Sequence, residues 1–110
     1  MVETMPTRAV VRKEKRSYAR VRVQLAVSCE RAGAPPVAGV ARDLGVGGMF
    51  IESGEQLPFG TAVEVVIGFP GMKLQTRLPA IVRWSKPDGF GVQFSLLGAQ
   101  QTSAILMAMK

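Results

Sequence analysis

The sequence predicts an all-β fold, a six-stranded antiparallel barrel or sandwich followed by one C-terminal α-helix. Three observations carry that expectation. Apolar residues recur at every second position in short runs between residues 20 and 94, the period of strands with one buried face. Glycine- and proline-rich turns separate the runs. Helical spacing of apolar residues appears only after Gly98. Short strands with no helix between them pair antiparallel and enclose one core. With 110 residues, 47% of them hydrophobic, the chain is long and apolar enough for one compact domain.

The first strand starts at Arg20, where Val21, Val23, Leu25, Val27 and Cys29 alternate with Arg20, Arg22, Gln24, Ala26, Ser28 and Glu30. Cys29 continues the apolar face and reads as a small core residue. Gly33 with Pro35-Pro36 marks a loop. The second strand, Val37 to Leu44, sets Val40 and Leu44 on one face and Ala41 and Asp43 on the other. The bend Gly45-Val46-Gly47-Gly48 leads into the short strand Met49-Phe50-Ile51, and Pro58-Phe59-Gly60 turns the chain again. Val63, Val65 and Ile67 alternate with Ala62, Glu64 and Val66 in the fourth strand. Phe69-Pro70-Gly71-Met72 suits a type II turn, proline setting φ and glycine supplying a positive φ. Leu74, Leu78, Ala80, Val82 and Trp84 form the apolar side of the fifth strand, and Pro87-Asp88-Gly89 folds it onto Phe90, Val92 and Phe94. In the tail from Ala99 to Met109, Thr102, Ile105, Leu106 and Met109 fall on one helical face that caps the strands. Its methionines, Met107 and Met109, read as core filler.

Fourteen Lys+Arg against eight Asp+Glu give a formal charge of +6. Residues 1–22 carry net +5 and the remainder only +1, so a nearly neutral domain follows a basic arm. Residues 1–15 are charged, lack periodicity and read as a flexible arm; residues 16–110 read as the folded domain. The absence of histidine excludes Ser-His-Asp and Cys-His catalysis and imidazole metal sites. A single cysteine makes neither an internal disulfide nor a thiolate metal site. No apolar run approaches the roughly 20 residues of a membrane span, and no secretory signal pattern opens the chain. These features favour a cytoplasmic binding module without catalysis, metal or membrane insertion.

Two clusters carry ligand-binding chemistry. The first is Arg16-Ser17-Tyr18-Ala19-Arg20, where arm meets strand. Guanidinium groups present planar donor forks that fit phosphates and the O6/N7 edge of guanine. The second is Asp43-Leu44-Gly45-Val46-Gly47-Gly48. An ionised carboxylate only accepts hydrogen bonds, which suits the paired N–H donors of a guanine Watson–Crick edge. Glycines beside it admit close backbone approach by a ligand. The run is neither a Walker loop nor a dinucleotide fingerprint.

Together the clusters resemble those of the PilZ domain family, bacterial receptor modules for cyclic di-GMP. The family signature is Arg-x-x-x-Arg followed by Asp/Asn-x-Ser-x-x-Gly; Arg16 and Arg20 match the first motif, Asp43 and Gly48 the ends of the second. The run Gly89-Phe90-Gly91-Val92-Gln93-Phe94 is also similar to the family. The resemblance implies a six-stranded antiparallel β-barrel with a C-terminal helix, and cyclic di-GMP as ligand. Arg16 and Arg20 would clamp phosphates and guanine, Asp43 would accept from guanine, and Gly47-Gly48 would admit the ligand. Lys15 stands where many members carry another arginine. The arm would wrap onto the barrel on binding and signal to an unidentified protein partner in control of a process such as motility or polarity. One position departs: the motif serine is Gly45, which removes a hydroxyl worth about 0.5–1.5 kcal/mol in a neutral hydrogen bond. Strict alternation buries Trp84 with Val82 and Ala80, whereas the resemblance sets an aromatic near the ligand, reachable through a bulge. A degenerate adaptor without nucleotide is the alternative. DNA or RNA is not an expected partner, because seven aromatics, several on apolar strand faces, leave little for base stacking.

Overall fold

The structure, a computed structural model, describes residues 19–110. The basic arm of residues 1–15, with Lys15, and Arg16 of the first motif lie outside the described residues. In chain order the elements are β1 (Arg20–Arg31), β2 (Ala34–Gly45), β3 (Gly48–Glu52), β4 (Ala62–Ile67), β5 (Thr76–Lys86), β6 (Gly89–Phe94) and α1 (Ala99–Ala108). Every strand pair is antiparallel, and the sheet closes as a barrel in the order β1-β2-β3-β6-β5-β4. Closure removes the edge strands that an open sheet of this length would expose.

Alternation explains the core. Val27 and Cys29 from β1, Met49 and Ile51 from β3, Val63, Val65 and Ile67 from β4, and Phe90, Val92 and Phe94 from β6 all point inward. Each of the Val, Ile, Met and Phe side chains among them gains roughly 1.5–3 kcal/mol on leaving water. The type II turn forms as expected: Gly71 takes φ +83°, and the Met72 N–H donates to the Phe69 carbonyl at 3.1 Å. At the N-terminal end of β1 the pattern weakens, because β4 pairs with β1 only from Val27 to Glu30. Val21, Val23 and Leu25 are therefore half-buried rather than enclosed, and pack against the core with Leu97, Ala108 and Met109. Helix α1 lies against β2 and β5. Its start is tied down by Gln101, which accepts from the Gly98 N–H at 2.7 Å and donates to the Arg77 carbonyl at 2.6 Å.

Several local expectations are corrected. The first hairpin turns at Ala32-Gly33, with Gly33 at φ +75°, and Pro35-Pro36 belong to β2. The β1–β2 register shifts between Cys29 and Arg31 at that point, so the ladder does not require N–H donors from the prolines. Ala41, not Val40, shares the buried face with Leu44, because a bulge at Arg42 breaks the alternation. Leu74 precedes β5 and is exposed. Helix α1 buries Ala104 and Ile105; Leu106 and Met107 face outward, and of the two methionines only Met109 packs on the core. Phe50 is half-buried on the outer face between the buried Met49 and Ile51, with the Lys86 ammonium 5.5 Å from its ring centroid.

Candidate functional site: an external groove framed by two bulges

The bulge in β2 creates the first half of the site. Ala41 pairs with Ile51 and Asp43 with Phe50, which leaves Arg42 as the extra residue. A bulge disrupts the ladder locally, and here the Asp43 carboxylate takes up a donor: the Phe50 N–H donates to Asp43 Oδ1 at 2.9 Å. The same oxygen accepts from Arg20 Nη1 at 2.7 Å. Arg20 is the first residue of β1 and pairs with Gly45 across the barrel wall. The two side chains are 38% and 33% exposed, so this ion pair adds only about 0.2–1 kcal/mol to stability. Its effect is to orient. Arg20 is held by Asp43 on one side, while its guanidinium lies 5.9 Å from the Trp84 ring centroid on the other.

Trp84 reaches that place through a second bulge. Val82 pairs with Val92 and Trp84 with Gly91, leaving Arg83 extra on β5. The inserted residue resets the alternation, so Trp84 leaves the buried face of Ala80 and Val82 and lies 36% exposed. The expectation that alternation buries it is thereby corrected. The indole covers Gly91, where a β-carbon would overlap the ring. Glycine at that position is what lets the ring lie flat on β6.

Between the bulges runs an open groove of about 600 Å³, with Arg20, Gly45 and Gly47 on one side and Arg83, Trp84 and Gln93 on the other. Its two charged lining residues are both arginines, which favours an anionic ligand. Of the residues singled out in the sequence, Arg20, Gly45, Gly47 and Trp84 meet at this groove, with Asp43 bound to Arg20. The glycines differ in what they do there. Gly47 is exposed, with open space where a side chain would stand. Gly45 is buried, and a β-carbon on it would come 2.9 Å from the Ala19 carbonyl oxygen and 3.2 Å from Arg20 Cγ. Gly48 is buried under β6, where a β-carbon would overlap the Val92 carbonyl oxygen; it does not line the groove. Arg83 and Gln93 also line the groove and lie outside both sequence clusters. The available signal was the pairing of a bulky Arg83-Trp84 on one strand with Gly91 on its neighbour, a pattern that appears only once the register is known.

Among the described residues no group of three or more His, Cys, Asp or Glu side chains is placed to hold a metal ion. No helix among them is long and apolar enough to cross a membrane.

Fold and groove together define a class: a small closed barrel with an open, cationic groove on its outside. The PilZ domain model matches residues 14–108, and the chain belongs to that family. Solved structures agree on the fold. The PilZ domain of CeSA from a cellulose-synthesizing bacterium superposes with a TM-score of 0.67 at 21% identity, over 83% of this chain and 94% of that one. The PilZ domain of Escherichia coli YcgR with c-di-GMP gives 0.67 at 12% identity, over 84% and 86%. The Bacillus subtilis inhibitor of motility MotI/DgrA gives 0.66 at 18% identity, over 82% of this chain and 47% of that one. No curated protein sequence matches the chain.

Proposed function

We propose that this chain is a cyclic di-GMP receptor that binds the nucleotide in the groove between the two bulges and acts by contact with another protein, without catalysis. The observation that carries the reading is the fixed Arg20 guanidinium, set between the Asp43 carboxylate and the Trp84 ring at an open cationic groove. Each component matches a feature of the nucleotide. Guanidinium donors fit phosphate oxygens or guanine O6/N7, an aromatic face takes a base, and a carboxylate accepts from guanine N–H groups. Arg16, one motif spacing before Arg20, joins as the second clamp, and Lys15 adds charge beside it. Gly47 lets the ligand approach the backbone, and Gly48 holds the loop down against β6. The family assignment and the c-di-GMP-bound YcgR domain support this choice of ligand. A cytoplasmic setting follows from the messenger role of the nucleotide.

Titration calorimetry with cyclic di-GMP tests the reading. Loss of charge-assisted hydrogen bonds in Arg20→Ala costs about 1.5–3 kcal/mol, which is roughly 10- to 150-fold in affinity. The barrel remains folded, because the exposed ion pair contributes little to stability. No heat from the wild-type chain at high micromolar ligand would defeat the proposal.

One observation favours a second reading, an adaptor that engages its partner without nucleotide. The Ala19 carbonyl occupies the space that a side chain at position 45 needs, so the motif hydroxyl has no place in this arrangement. Under that reading, partner capture is insensitive to both nucleotide and Arg20→Ala.

A further inference from the structure

We infer that Arg83, oriented by Gln93 on the β5 bulge, is a second groove-lining guanidinium that binds a phosphate of the nucleotide. The inference rests on the cyclic di-GMP reading and adds a residue outside both family motifs.

The bulge is the first argument. Two consecutive residues, Arg83 and Trp84, stand opposite one, Gly91, and both are exposed, whereas a regular strand sends neighbours to opposite faces. Bulges that re-aim a side chain are concentrated beside binding sites. Here one bulge delivers an aromatic and a guanidinium to the same groove.

Orientation is the second. Arg83 Nε donates to Gln93 Oε1 at 2.9 Å, and the guanidinium lies 5.9 Å from the Phe59 ring centroid. Using Nε in that bond fixes the plane of the group and leaves its two Nη donors as a fork, the geometry that grips a phosphate with two parallel hydrogen bonds. Gln93 thus acts as a positioning residue.

Charge is the third. Among the described residues, Arg20, Arg42 and Arg77 each lie within ion-pair distance of a carboxylate, whereas no such carboxylate faces Arg83. Asp43 partly offsets the charge of Arg20, so Arg83 is the groove cation whose charge is left for an anion. Phosphate is accordingly its target rather than the neutral guanine edge.

Calorimetric titration of cyclic di-GMP into wild type, Arg83→Ala, Arg83→Lys and Gln93→Ala, at low and high salt, tests this. Arg83→Ala weakens binding about tenfold at low salt with an unchanged melting temperature. Arg83→Lys recovers only part of the loss, because it keeps the charge without the planar fork, and Gln93→Ala shows a smaller loss than Arg83→Ala. The gap between wild type and Arg83→Ala narrows as salt rises, since screening acts on the charged contact. Equal affinities for wild type and Arg83→Ala overturn the assignment while leaving the receptor reading intact. A loss that is independent of salt and not recovered by lysine overturns the phosphate contact. Absence of binding by the wild type overturns the receptor reading itself, and this inference with it.

Discussion

Gly45 stands where the family motif carries serine, and sequence alone presents the change as a lost hydroxyl. The structure gives it another meaning. The backbone entering β1 crosses Gly45 so closely that a β-carbon would come 2.9 Å from the Ala19 carbonyl oxygen and 3.2 Å from Arg20 Cγ. The obstacle is backbone, which does not rotate aside as a side-chain tip does. Restoring the serine therefore pushes Ala19-Arg20 outward and draws the Arg20 guanidinium off Asp43 before the new hydroxyl reaches any ligand. Under the receptor reading, Gly45→Ser and Gly45→Ala each weaken cyclic di-GMP binding, by up to about tenfold, or about 1.4 kcal/mol. The pair of variants separates the two effects, because both add the β-carbon and only one adds the hydroxyl. Tighter binding by Gly45→Ser alone would show that Ala19 yields and that the hydroxyl limits affinity. A short residue here is thus part of how Arg20 is positioned, not merely a missing contact.

At the scale of elements, the site is made by irregularities in otherwise regular strands. The β2 bulge places Asp43, and the β5 bulge places Arg83 and Trp84. The second depends on β6 as much as on β5, because the indole occupies the space a side chain at position 91 would fill. Gly91→Ala accordingly lifts Trp84 off β6. Trp84 is the single tryptophan of the chain, so its fluorescence reports this displacement directly. The expected result is a shifted emission spectrum, a folded barrel and weaker ligand binding; an unchanged spectrum and affinity would refute the packing argument. The same bulges mark the limit of what the sequence discloses. Strand count, the Gly71 turn and the inward residues of β4 and β6 follow from local periodicity and turn chemistry, and all are found. Arg20 and Asp43 are legible as parts of two sequence motifs. Strict alternation sets Val40, Ala41 and Trp84 on the wrong faces because it assumes a constant register. Whether a strand takes an extra residue is decided with its neighbour across the ladder, which is non-local information. Likewise the buried face of α1, Ala104 and Ile105 rather than Leu106, is chosen by its docking against β2 and β5.

Across the whole molecule, polar chemistry is kept on the outer surface and the interior is apolar. No polar or charged residue is buried among those described, and Arg77 on the outside bridges β1 and β4 through Glu30 at 2.8 Å and Glu64 at 2.9 Å. These carboxylates draw the Arg77 guanidinium still higher above its ordinary range, so that cation never titrates under usable conditions. Cys29 is the exception that makes the core sensitive to pH. It is fully enclosed, and burial pushes its thiol from 9.0 to about 11, because the thiolate is disfavoured away from water. In the unfolded chain the thiol loses its proton near pH 9, while in the barrel it keeps the proton until near 11. Between those values the unfolded state binds fewer protons than the native one, so stability falls as pH rises. The loss approaches about 1.4 kcal/mol per pH unit, about 3 kcal/mol across the window, and vanishes below pH 9. Other groups titrate in the same range, so the informative quantity is a difference. Urea unfolding of wild type and Cys29→Ala at pH 7, 9 and 10.5 isolates it, since the variant lacks the thiol and shares every other group. The wild type should lose stability relative to the variant only above pH 9. A constant difference across the three conditions would mean that the thiol ionises equally easily in both states, and that Cys29 is not sealed in the barrel.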